Sequence, residues 1–177
     1  MNEIPTDGLA ALFLDYSTRK LRQLSSRIET CLGGLNEEQV WARGSDNENA
    51  VGNLALHLCG NVRQWIVAGV GGLPDVRRRD AEFAARGGLG IEELSHRVQT
   101  TVSDAAAVLD SVTPDRLAER VTIQGYDVSV LEAIYAVVEH FSMHTGQIIF
   151  ATKTLTGADL GFYRHLRSPT THQEKTP

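Results

Sequence analysis

The chain has 177 residues, 42% of them hydrophobic and 22% charged, which is enough apolar material for one self-supporting core. Its formal net charge of -5 argues against a phosphate-backbone binder, because nucleic-acid affinity rests mostly on Lys and Arg. Its two cysteines, Cys31 and Cys59, each sit in an apolar helical pattern and form neither a disulfide framework nor a Cys-x-x-Cys site, which predicts a reducing cytoplasm.

Met1 to Asp7 lacks the basic region and long apolar stretch of a signal peptide. From Gly8 to Leu32, apolar residues recur every three to four positions (Leu9, Leu12, Phe13, Tyr16, Leu21, Leu24, Ile28), which predicts a long amphipathic helix ended by Gly33-Gly34. Asn36 followed by Gln39 reads as a capping box for a short helix through Trp41, which packs that segment onto the core. After the loop residues Gly44 to Asn49, a second helix is expected from about Ala50 to Gly69, broken by Gly71-Gly72-Leu73-Pro74. The charged segment 75–88 reads as partly irregular. Its basic run, Arg77-Arg78-Arg79, precedes Asp80 and Glu82 and reads as a polar, salt-bridged surface feature.

Gly90 to Val112 restores helical spacing. Leu117 to Val130 reads as an extended crossover in which Val121-Thr122-Ile123 suits a short strand. Ser129 and Glu132 form a capping box for a fourth long helix, running to about Leu155. No segment suits a membrane span, because the longest apolar stretches carry Asn53, His57, Asn61 and Arg63, or Glu139, His140 and His144. The expected architecture is all-α: one four-helix bundle domain over residues 1–167 with long crossovers, up-down-down-up, and a disordered polar tail over 168–177.

The fourth helix carries the chemistry. His140 and His144, one turn apart, lie on the same face of an otherwise apolar helix. With six histidines in the chain, chance alone puts some pair at this spacing about one time in six. The second helix adds a polar stripe of Asn53, His57, Asn61 and Gln64 among apolar neighbours. Two helices can bury such groups at one depth only if they pair or bind something. Three imidazoles, His57, His140 and His144, match a metal platform with open positions, for which zinc, nickel and iron are chemically suitable. The pair is not a zincin motif, since no glutamate follows His140. Cys59, on the far side of its helix from His57, reads as a buried thiol.

Three stretches, His57-Leu58-Cys59-Gly60-Asn61-Val62-Arg63-Gln64-Trp65, Arg79-Asp80-Ala81-Glu82-Phe83 and His140-Phe141-Ser142-Met143-His144-Thr145-Gly146-Gln147-Ile148, together resemble the DinB/YfiT-like superfamily over about Asn49 to Thr154. The resemblance implies a four-helix bundle, often a homodimer, holding one divalent metal on His57, His140 and His144. It also implies kinship with transferases and isomerases that use a low-molecular-weight thiol and with iron-containing sulfoxide synthase domains. It assigns no fixed role to Asn61, Gln64 or Gln147; as outer partners these suit ligand orientation or a substrate pocket. The Arg79–Phe83 motif suits a cap over the site or a brace for a dimer.

The leading expectation is a metal-dependent thiol transferase acting on a small electrophile in a pocket lined by Trp65 or Tyr126. The alternatives are a metal-binding structural or stress-response protein without turnover, and a metal-free helical interaction module.

Overall fold

The computed structural model describes residues 6–164, and the tail expected to be disordered lies outside them. Some 70% of the described residues are helical, in six α-helices and two shorter segments of other helix types, with one two-stranded sheet among them. The long helices are α1 (Thr6–Gly33), α3 (Val51–Val62), α5 (Ile91–Ser111) and α6 (Val130–Thr156). α1 packs on α5 and α6, and α3 packs on the same two partners. The core between them is built from fully buried Leu21, Ile28, Leu32, Leu58, Leu94, Leu109, Ile134, Phe141 and Ile148. Each such side chain contributes about 1.5–3 kcal/mol by leaving water.

The local signals act as the sequence dictates. Asn36 accepts the Gln39 amide at 2.8 Å and the Gln39 side chain accepts the Asn36 amide at 3.0 Å, opening the short helix α2 (Glu37–Val40). Trp41 closes it, donating from Nε1 to the Leu89 carbonyl at 3.0 Å and laying its ring against Gly52, where a Cβ would stand 2.9 Å from the ring. At α6 the Ser129 amide donates to the Glu132 carboxylate at 2.6 Å, and Gly157 ends the helix in the left-handed conformation.

Three features differ from the sequence reading. The second helix does not stay α-helical: from Arg63 to Val70 it is a π-helix, with the Gly71 amide reaching back five residues to the Ile66 carbonyl at 2.8 Å. The crossover after α5 is a hairpin rather than a lone strand, with β1 (Arg120–Ile123) antiparallel to β2 (Tyr126–Ser129), from Arg120 opposite Ser129 to Ile123 opposite Tyr126. Gln124 and Gly125, at φ of 53° and 81°, make its two-residue turn. Ile123 is buried against Gly69 of the π-helix, the only residue type that leaves it room: a Cβ there would meet the Ile123 Cδ1 at 2.4 Å. Finally, the charged segment 75–88 contains a helix, α4 (Arg79–Ala84), packed on α3. Among the described residues no helix is long and apolar enough to cross a membrane.

Candidate metal centre

The one-turn spacing sets His140 and His144 on one face of α6, and the packing of α3 on α6 brings His57 to them. The His57 and His144 Nε2 atoms each stand 3.1 Å from the His140 Nε2. The three ring centroids lie 4.5–5.0 Å apart with edge-on planes. His57 is buried, while His140 and His144 are half-buried.

The tautomers of the two outer rings follow from their other nitrogens. Glu82 Oε2 lies 3.1 Å from His57 Nδ1 and also accepts from Arg77 Nη2 at 2.8 Å, while Arg77 Nε donates to Glu82 Oε1 at 2.8 Å. Burial pushes the Glu82 pKa up, but hydrogen bonds from Arg77 and His57 outweigh it and the net shift is downward. Arg77 Nη2 also stands 3.1 Å from His57 Nδ1, but its shorter bond, 2.8 Å, goes to Glu82 Oε2. Glu82 is an acceptor-only carboxylate, and the tautomer in which His57 Nδ1 donates to it leaves the Nε2 lone pair turned inward. His144 Nδ1 lies 2.6 Å from Gln147 Oε1, also an acceptor, so His144 Nε2 presents a second lone pair. Both point at the His140 Nε2, and a proton there can serve only one of them at a time. Burial first, then the neighbouring His144, His57 and Arg77, lowers the His140 pKa to about 4. Burial likewise lowers that of His144. His140 and His144 are therefore neutral at pH 7, the form that ligates metal.

The cluster fits a metal ion. Two imidazole nitrogens bonded to one first-row ion at about 2.1 Å stand about 3.0–3.4 Å apart across octahedral to tetrahedral angles. The two spacings to His140, 3.1 Å each, lie inside that range, and all three ligand nitrogens lie within 4.8 Å of one another. Among the described residues no Cys, Asp or Glu joins the three histidines in the cluster.

Sequence reasoning missed the residues that hold His57. Arg77 and Glu82 are a largely buried ion pair, not surface decoration, with side chains 4% and 10% exposed. Gly60, one turn beyond His57, creates the space, since a Cβ there would stand 1.9 Å from Glu82 Oε1 and 2.9 Å from Arg77 Nε. Phe83 stacks on the His57 ring with centroids 4.7 Å apart, and the Arg79 guanidinium lies over Phe83. The Arg79–Phe83 stretch thus grips His57 from behind. Arg77 sits just upstream of it.

Of the three outer residues, Gln147 holds His144 directly. Gln64 acts one step further out, accepting from Arg77 Nη1 at 2.9 Å and donating to Asp75 at 2.6 Å. Among the described residues Asn61 bonds to none of the histidines, and its buried Oδ1 has no partner, like the buried Nδ1 of His140. Asn53, on the same stripe, instead ties α3 to α4 through the Glu82 and Ala85 carbonyls. Trp65 and Tyr126 face each other at the hairpin with centroids 6.3 Å apart, and Trp65 Nε1 donates to Gln124. Glu139 is exposed.

A family model described as a protein of unknown function, DUF1572, matches residues 8–167. The chain belongs to the DUF1572 family. No curated protein matches it. Its fold is similar to that of a conserved protein from Enterococcus faecalis, at a TM-score of 0.67 and 16% identity, covering 80% of this chain and 96% of the other. At that identity the likeness concerns the fold alone.

Proposed function

We propose that this DUF1572 protein binds one divalent metal ion through the Nε2 atoms of His57, His140 and His144, and that the site activates a low-molecular-weight thiol or water for transfer to a small electrophile. The convergence of three imidazole nitrogens, two with their lone pairs turned inward by Glu82 and Gln147, carries the reading. The four long helices are read with it as a DinB-like four-helix bundle running up-down-down-up, in a cytoplasmic homodimer. Zinc or nickel suits an all-imidazole set best, with iron third.

A divalent ion held there supplies Lewis acidity, bringing a bound thiol or water toward ionisation at neutral pH. The chain's own residues set the stage. Glu82 keeps the proton on His57 Nδ1, Arg77 keeps Glu82 ionised, and Gln147 fixes the His144 ring. A structural zinc site closes its shell with four protein ligands, whereas here, among the described residues, no Cys, Asp or Glu joins the three histidines as a fourth, which leaves room for an outside molecule. Asn61 Oδ1, one turn beyond His57, is buried and has no hydrogen-bond partner among the described residues.

The test is metal content after purification without an immobilised-metal column, beside His140→Ala, followed by titration of the loaded protein with candidate thiols. About one metal per chain, lost in the variant, with thiol altering its coordination, is the expected result. Metal without any thiol response points to the non-catalytic alternative. No metal even after reloading contradicts the proposal.

A further inference from the structure

A second site lies about 100° around α3 from the histidines. Leu56, Cys59, Gly60 and Arg63 form one wall of a cavity of about 800 Å³, with α5 opposite and residues 73–78 across it. That volume suits a small organic ligand. The cavity shares Arg77 and Glu82 with the histidine site but contains none of the three histidines.

Buried Val67 and half-buried Leu56 and Leu89 give the cavity an apolar lining, with exposed Leu73 and Val76 on the 73–78 segment beside it. The polar lining holds Arg63, Arg77, Arg78, His96 and Arg97 with Asp75 and Glu82. Arg77 is committed to Glu82, and Arg63 and Arg97 are half-exposed and paired with Asp104 and Glu93, which lie outside the lining. The side chains of Arg78 and His96 are exposed and have no hydrogen bond or ion pair among the described residues. Guanidinium donors beside an apolar hollow match a ligand with an anionic head and an apolar body. Cys59 in the wall is no reactive centre, because burial pushes its thiol up to about 11.

We infer that this cavity binds a small amphipathic anion, its apolar body between α3 and α5 and its carboxylate or phosphate head held by Arg78, His96 and Arg97. Arginine recognises both heads by the same charge-assisted hydrogen bonds. The inference does not depend on the metal.

Calorimetric titration of the metal-free full chain with octanoate, octyl phosphate, octanol and octyltrimethylammonium tests it. Saturable binding of one or both anions is expected, whichever binds tighter naming the head, with octanol at least about tenfold weaker and the cation silent. Thr100→Trp, a substitution at an exposed lining position, fills the cavity and abolishes binding. Arg78→Glu, also exposed, weakens it by about tenfold or more. His140→Ala leaves it unchanged, so failure of the metal proposal and failure of this one are told apart. The inference is overturned if no anion saturates, if octanol binds as tightly as octanoate, or if anion affinity is unchanged in Arg78→Glu.

Discussion

His57 and Cys59 lie two residues apart on α3, both buried and both able in principle to ligate a metal. Their surroundings send them in opposite directions. His57 meets an ionised carboxylate and its paired guanidinium at one nitrogen and His140 at the other, with the His144 ring edge-on beside it. Cys59 meets the wall of α5, where burial outweighs a hydrogen bond with Thr101 and keeps the thiol protonated. Burial alone does not make a reactive group; a buried group becomes useful when partners fix which atom carries the proton. The contrast is set by the faces of one helix, and it can be broken from either side.

The largest effect is expected on the histidine face. Alanine at His57, His140 or His144 removes one of only three ligands, and metal affinity falls by more than about a hundredfold in a chelator competition assay. An affinity within a few-fold of the parent at all three positions breaks the comparison outright.

Glu82→Gln and Gly60→Ala remove no ligand, yet both are expected to lower metal affinity by about ten- to a hundredfold. The first removes the carboxylate that fixes the His57 tautomer. The second forces that carboxylate away, because the new Cβ would overlap Glu82 Oε1. Equal melting temperatures of the metal-free proteins alongside weakened metal binding identify the effect as positioning rather than unfolding.

These two residues also mark where the sequence stopped being readable. The helix α6, its Ser129–Glu132 cap and the His140–His144 pair are local patterns, so three-to-four spacing and capping chemistry located them. His57 was picked as third member from the polar stripe on an apolar helix, and the resemblance added to that choice, whereas the facing of the two helices leaves no mark in local spacing. Glu82 was misread, since a carboxylate among arginines reads as surface unless its distance to His57, 25 positions upstream, is known. The π-helix from Arg63 to Val70 changes hydrogen-bond partners without changing composition. The cavity depends on which residues α3, α5 and the 73–78 segment bring together, and no local pattern encodes that. The Gly125 turn was within reach, but Val128 at the end of a polar run hid the second strand.

A smaller effect sharpens the histidine side through pH. For His140 and His144 the folded pKa lies below the ordinary value of 6.5, so the unfolded chain binds protons first as pH falls. The stability of the metal-free protein that these neutral rings allow is complete above about pH 6.5 and is lost as pH drops toward about 4. The urea midpoint of the metal-free protein should decline over that window, and in His140→Ala it should decline less. A flat profile from pH 7 to 5 contradicts the burial of neutral imidazoles.

The smallest effect is expected on the Cys59 side. With its thiol pushed up to about 11, alkylation of Cys59 by iodoacetamide at pH 8 should be on the order of a hundredfold slower than that of an unperturbed thiol. Peptide mass spectrometry before and after denaturation reads the difference, and Cys59→Ala should leave metal affinity unchanged.

The most direct measurement is X-ray absorption spectroscopy of the protein loaded with zinc or nickel. Three imidazole nitrogens at about 2.0–2.1 Å, with the remaining scatterers light and exchangeable for a sulfur when thiol is added, is the predicted shell. A shell with fewer than three imidazoles, or one already closed by protein sulfur or carboxylate before any thiol is present, contradicts the account.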